Sequence, residues 1–156
     1  MQKGLLFAGL FIAFFSITLS AGAQSAAGKF DGTWNTTVTC DPAGGTLGYT
    51  VRYVSTVTGS VLHGERGTPG QQAYMAIDGK IGGDGKAKLT ASGVSGNPQY
   101  THGPIKSEGQ DYSYEVKSQF TETEGKGERS TGLGIVGRPC HYVFEKQATG
   151  DSAAKP

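Results

Sequence analysis

From residue 32 to residue 147 the chain alternates between apolar and polar residues with a period of two, segment after segment, and rarely with the 3.6-residue period of an amphipathic helix. Successive side chains on a strand point to opposite faces, so the pattern predicts half-buried strands with one apolar face each. GTWNTTVTC (32–40) puts Trp34, Thr36, Val38 and Cys40 on one face, and GYTVRYVSTV (48–57) does the same for Tyr49, Val51, Tyr53 and Val57. SVLHGERG (60–67), QAYMAIDGKI (72–81) and KAKLTASG (86–93) follow. Between the last two, Gly82-Gly83-Asp84-Gly85 supplies the residues a tight hairpin needs. DYSYEVKSQFTE (111–122) alternates most cleanly, with Tyr112, Tyr114, Val116 and Phe120 inward. GKGERST (125–131) is a weaker strand, and RPCHYVFEKQ (138–147) brings Cys140, Tyr142 and Phe144 to one face. Residues 96–109, with Pro98 and Pro104, read as the longest loop.

About eight strands joined mostly by short turns suit an all-β, up-and-down antiparallel sheet, which either closes into a barrel or leaves two edges. The cysteines favour closure. Cys40 ends the first strand and Cys140 stands near the start of the last. If these strands pair antiparallel, the cysteines meet, and the same register places Val38 beside Tyr142, Thr36 beside Phe144 and Trp34 beside Lys146, all with inward parity. A disulfide between them would close a loop of about 100 residues, worth roughly 4–5 kcal/mol in the chain-entropy model. A two-sheet β-sandwich, which also brings terminal strands together, is the alternative architecture.

The first residues concern compartment. Lys3 precedes the uncharged run Leu5–Leu19, and Ala21-Gly22-Ala23 follows with the small residues of a cleavage site, so residues 1–23 read as a secretory signal peptide. An exported compartment permits the disulfide. The domain then spans 24–147, with a small, polar C-terminal tail (148–156) expected to be disordered. Loss of Lys3 takes the formal net charge from +1 to zero, with both signs interleaved, so neither nucleic acid nor an anionic membrane is expected as a partner. The exported chain is read as periplasmic or secreted.

Gly132-Leu133-Gly134-Ile135-Val136-Gly137 matches the glycine fingerprint of dinucleotide-binding loops. That fingerprint works only where a strand leads in and a helix leaves, so that phosphate meets the helix N-terminus. Arg138-Pro139-Cys140 and another strand come next, so no nucleotide and no other cofactor is expected. His63 and Glu65 share a strand face and could orient one another as base and carboxylate, but no nucleophile stands at a recognisable spacing. An enzyme is therefore not expected. His102 and His141 form no metal-ligating pair, and Asp78-Gly79 and Asp84-Gly85 read as turns rather than calcium-loop pieces, so no metal is expected either. Asn35-Thr36-Thr37 is a formal glycosylation sequon, but inside a strand.

The inward face is the more informative one. Trp34, Tyr49, Tyr53, Tyr112, Tyr114, Phe120, Tyr142 and Phe144 converge on one interior, and an eight-stranded barrel has just enough room to be filled by side chains or to hold one small ligand. These aromatics either fill a core or wall a cavity whose hydroxyls orient a ligand.

Gly32-Thr33-Trp34 at the head of the first strand resembles the Gly-x-Trp of lipocalins and the Gly-Thr-Trp of avidin-like barrels. The lipocalin likeness implies a basic residue packed across the Trp, which the register above gives to Lys146. The lipocalin Thr-Asp-Tyr turn, the C-terminal helix and the biotin-binding polar residues of avidins are missing, so the resemblance implies no particular ligand. The wider pattern of Phe30-Asp31-Gly32-Thr33-Trp34, Cys40, Gly137-Arg138-Pro139-Cys140 and Phe144-Glu145-Lys146-Gln147 is similar to that of small exported bacterial proteins. A second likeness is to C-type lysozyme inhibitors, exported eight-stranded barrels that act through a loop bearing Ser-Gly and a Tyr. Ser95, Gly96 and Tyr100 sit in the long loop here. The leading expectation is an exported, non-enzymatic barrel binding a small, partly apolar ligand among its aromatics. The alternative is a protein-binding module or hydrolase inhibitor acting through residues 95–110.

Overall fold

The computed structural model describes residues 28–101, 108–130 and 137–148. The signal peptide, the tail from residue 149, His102 and residues 132–136 of the glycine-rich hexapeptide lie outside the described residues. The strands are β1 (Gly32–Cys40), β2 (Tyr49–Thr58), β3 (Val61–Arg66), β4 (Met75–Lys80), β5 (Lys86–Val94), β6 (Asp111–Phe120), β7 (Glu124–Arg129) and β8 (Cys140–Lys146). Each pairs antiparallel with its neighbours in sequence, and β1 pairs with β8, so the sheet closes into an eight-stranded up-and-down barrel rather than a sandwich.

The closing register is the one that inward parity demands: Cys40 faces Cys140, Val38 faces Tyr142, Thr36 faces Phe144 and Trp34 faces Lys146. The two cysteines form a disulfide across a Cα separation of 4.0 Å, as directly opposed residues of an antiparallel pair can. The bond is consistent with an oxidising, extracytoplasmic location.

Some boundaries differ from the sequence reading. β4 begins at Met75 rather than 72, because Gln71 N donates to Thr68 O and Tyr74 N to Gln71 O, which folds the preceding residues into turns. β6 stops at Phe120, where Thr121 starts a turn: its N–H donates to Glu124 O, and its side-chain Oγ1 accepts from Glu124 N. Asp78-Gly79 is not a turn but lies within β4. Gly79 is there because the neighbouring strand comes close: a Cβ would stand 2.7 Å from Leu89 Cδ2 and 3.0 Å from Lys88 O. Asp84-Gly85 does form a turn, with Gly85 at φ +82° and the Asp84 carboxylate accepting from Lys86 N.

All β-strand connections at one end of the barrel, the lower, are short. The opposite, upper end carries the longer connections from β1 to β2, β3 to β4, β5 to β6 and β7 to β8. The lower half of the interior is solid. Trp34, Phe30, Phe144, Leu62, Ile77, Ile81, Leu89 and Val116 are fully buried there, and Val38, opposite Tyr142 and Val51, is fully buried at the boundary with the upper half. Phe120 meets Trp34 edge-on at 5.6 Å and Phe144 at 4.9 Å between ring centroids. β7 makes room for these rings by turning glycines inward: a Cβ on Gly125 would lie 2.5 Å from Phe120 Cδ1. Below them Phe30 closes the floor, its carbonyl accepting from the Trp34 indole at 3.0 Å. Lys146 crosses over, its ammonium 5.8 Å from the Trp34 ring and donating to Lys29 O.

Candidate functional site

The upper half of the barrel is different. Inward positions near the ends of β2, β4, β5, β6, β7 and β8 surround a cavity of about 680 Å³ that opens at the mouth. Its size falls in the range of small-molecule sites. Val51, Met75 and Val94 give it apolar wall, and Tyr49, Tyr112 and Tyr114 give it aromatic wall. Tyr112 and Tyr114 stack with centroids 5.9 Å apart, and Gly93 opposite Tyr112 leaves space for the phenol. The Tyr114 and Tyr142 hydroxyls share a hydrogen bond of 2.8 Å where cavity meets core.

Two guanidiniums also reach this cavity. Arg129, the last residue of β7, continues the inward parity of Gly125 and Gly127 and lies 4.2 Å from the centroid of the Tyr114 ring. Arg138 has the inward parity of Cys140 and is only 2% exposed. It donates from Nη1 to Tyr100 O at 2.9 Å, and from Nη2 to Thr46 Oγ1 at 2.7 Å and Leu47 O at 2.6 Å. It thereby ties two mouth connections to the start of β8. Its Nε has no partner among the described residues.

Burial is the main force on the phenols. It pushes Tyr49, Tyr53, Tyr112, Tyr114 and Tyr142 all above the ordinary phenol range, with Arg138 opposing the rise at Tyr49 and the Tyr142 hydrogen bond opposing it at Tyr114. These hydroxyls therefore stay protonated at neutral pH and can donate to a ligand as well as accept from it.

The structure divides the aromatic set read from the sequence. Trp34, Phe120 and Phe144 belong to the solid floor, and Tyr142 sits fully buried at the boundary. Tyr53 packs on the core at half-burial, while Tyr49, Tyr112 and Tyr114 line the cavity. Ser95, Gly96 and Tyr100, read as a separate partner-binding loop, come to the rim of the same cavity. Tyr100 stands edge-on to Tyr49 at 6.2 Å and is 40% exposed. The Ser95 end of the loop is closed by hydrogen bonds with Gly109 and Gln110.

Arg129 and Arg138 were not among the residues picked out from the sequence, although both are basic residues at inward parity, which is an anomaly in a barrel interior. His63 and Glu65 do not pair. His63 Nδ1 meets Asp78 Oδ1 at 2.6 Å, which raises the His63 pKa, and Glu65 accepts from the Tyr74 hydroxyl. Both are exposed on the outer surface, and neither lines the cavity. His141 lies between Asp41 and Glu128 at 3.7 and 3.8 Å, also outside. Among the described residues no group of three His, Cys, Asp or Glu side chains could hold a metal ion. A second depression of about 500 Å³ lies across β6 and β7, bordered by the outward Lys117, Gln119, Lys126 and Glu128. It is an open surface that Ser118, Arg129 and Ser130 also border, so Arg129 lines both this depression and the mouth cavity. Compared with protein-family models, curated proteins and solved structures, the chain matches none.

Proposed function

We propose that the protein is an exported, non-enzymatic binding barrel that holds one small, partly apolar ligand in the cavity at its upper mouth. The observation that carries this reading is the contrast within one interior: a lower half packed solid, and an upper half in which phenol rings and apolar side chains surround open volume of about 680 Å³. Interiors are normally packed nearly as densely as organic crystals, so a void of this size at a barrel mouth is a feature of a container. The disulfide at the rim supports the exported setting. The Gly-x-Trp strand crossed by Lys146 supports a likeness to lipocalins at the closed end.

A titration with N-phenyl-1-naphthylamine, an uncharged apolar fluorophore, tests it. One saturable site per chain is expected, with affinity reduced severalfold in Tyr114→Ala. The stability loss in that variant should fall short of the ~3–5 kcal/mol typical of truncating an aromatic in a packed core. A parent that takes up no probe, with a Tyr114→Ala variant that loses the full packed-core amount, would overturn the reading. It would leave a protein partner at the Tyr100 rim as the alternative.

A further inference from the structure

We infer that the ligand of the mouth cavity carries an anionic head group, received by Arg129 with Arg138 behind it. This rests on the proposed binding function and specifies the chemistry of its ligand.

The charge around the cavity is one-sided. Among the described residues that line it, Arg66, Arg129 and Arg138 stand against one carboxylate, that of Asp111, which is exposed at the rim. Among the described residues neither Arg129 nor Arg138 has a carboxylate within ion-pair distance; the ion pairs there all use His or Lys and lie on the outer surface. This is not a matter of scarcity, because the chain carries 13 Asp and Glu against 14 Lys and Arg. Among the described residues none of the acidic side chains is buried, and Arg129 and Arg138 have no carboxylate counter-charge.

A buried charge is costly unless it is paired. Arg138 is nearly fully buried, and its partners are two carbonyls, the Thr46 hydroxyl and the Tyr49 side chain, whose ring centroid lies 5.2 Å from the guanidinium; these engage its donors and its face but none carries a negative charge. Its Nε is left over. Arg129 is half-exposed and lies against the face of Tyr114, with a cavity in front of it. A guanidinium set over a ring through its carbon still has N–H donors to offer a planar, bidentate acceptor such as a carboxylate or sulfonate. The protonated phenols of Tyr49, Tyr112 and Tyr114 add donors and no competing negative charge. Val51, Met75 and Val94 supply the apolar wall for the rest of the molecule. The ligand class that fits is a compact amphipathic anion, an aromatic or medium-chain acid.

The test compares two probes that share one frame and differ by one group, 8-anilinonaphthalene-1-sulfonate and the neutral N-phenyl-1-naphthylamine. The parent is expected to bind the sulfonate about tenfold or more tightly than the neutral probe, the scale of one or two charge-assisted hydrogen bonds. Added salt should weaken the sulfonate and leave the neutral probe unchanged. Arg129→Gln should remove most of the preference while the neutral affinity stays within about twofold. Because Arg138→Gln strips hydrogen bonds from two connections and can fail to fold, Arg138→Lys is the second variant, expected to keep part of the preference. Lys117→Gln on the outer depression should change nothing. Decanoate should displace the sulfonate probe and decanol should not at the same concentration. Equal affinity for both probes in the parent, or a preference that survives Arg129→Gln, overturns the anionic assignment while leaving the binding barrel standing. Failure of both probes to bind overturns the binding reading itself, and this inference with it.

Discussion

Tyr114 stands where the packed half of the barrel gives way to the open half, and its hydroxyl is the sole protein partner seen for the buried Tyr142 hydroxyl among the described residues. Replacing it with Phe keeps the ring, its stack on Tyr112 and its contact with Arg129, but orphans Tyr142. Tyr114→Phe is therefore expected to lower stability by about 1–3 kcal/mol in chemical denaturation, the cost of an unsatisfied buried hydroxyl. Ser118 presents the converse case. Its hydroxyl is buried and has no partner among the described residues, so Ser118→Ala is expected to leave stability unchanged or raise it by about 1 kcal/mol. A marked loss in Ser118→Ala would show that the hydroxyl is satisfied after all. Arg138 differs from both, because its buried polar group is charged and most of its donors are used to hold Leu47, Thr46 and Tyr100 in place.

Among the strands, β7 is the one that contributes least volume to the interior, and this is why three aromatic rings can meet beside it. Gly125→Val would drive a branched side chain into the Phe120 ring, and a loss of about 1–3 kcal/mol from overpacking is expected in the same denaturation measurement. The pairing of β1 with β8 carries the disulfide, and Cys40→Ala with Cys140→Ala should cost up to about 4–5 kcal/mol while leaving the far-ultraviolet spectrum of the barrel intact. This pairing was legible from the sequence because side-chain parity along a strand is strict: once Cys40 meets Cys140, Trp34 must fall beside Lys146. Parity tells inward from outward, but says nothing about height along the barrel axis. The sequence therefore could place Trp34, Tyr49, Phe120 and Tyr112 in one interior and could not separate the floor from the cavity wall. The role of Gly79, which reads as a turn residue, and of Gly125 and Gly127 in the weaker strand is hidden for a related reason, since the close approach of Leu89, Phe120 and Ser118 is a tertiary fact. Arg129 and Arg138 went unnoticed because they flank the segment in which alternation is most interrupted by glycine and proline.

The molecule as a whole has an exposed outer surface carrying its carboxylates, a solid lower core, and an upper interior in which phenols and guanidiniums surround open volume. The phenols give it a characteristic response to alkali. A group whose pKa is raised in the folded state contributes stability that is present below its unfolded pKa, here the ordinary phenol value of 10.0, and is lost as the pH rises from there through the raised folded value. The barrel should therefore lose stability above pH 10, and phenolate absorbance from Tyr49, Tyr53, Tyr112, Tyr114 and Tyr142 should appear together with unfolding rather than before it. Early, independent ionisation of all five would mean that solvent reaches them freely. The claim that the upper interior is a binding site is tested most directly by methyl nuclear magnetic resonance of the protein titrated with N-phenyl-1-naphthylamine. The account predicts saturable, one-to-one shifts at Val51, Met75 and Val94 on the cavity wall, with Leu62, Ile77 and Leu89 of the floor unmoved. Shifts confined to outward residues such as Val54 and Val143, or no saturable shift at any methyl group, would contradict it.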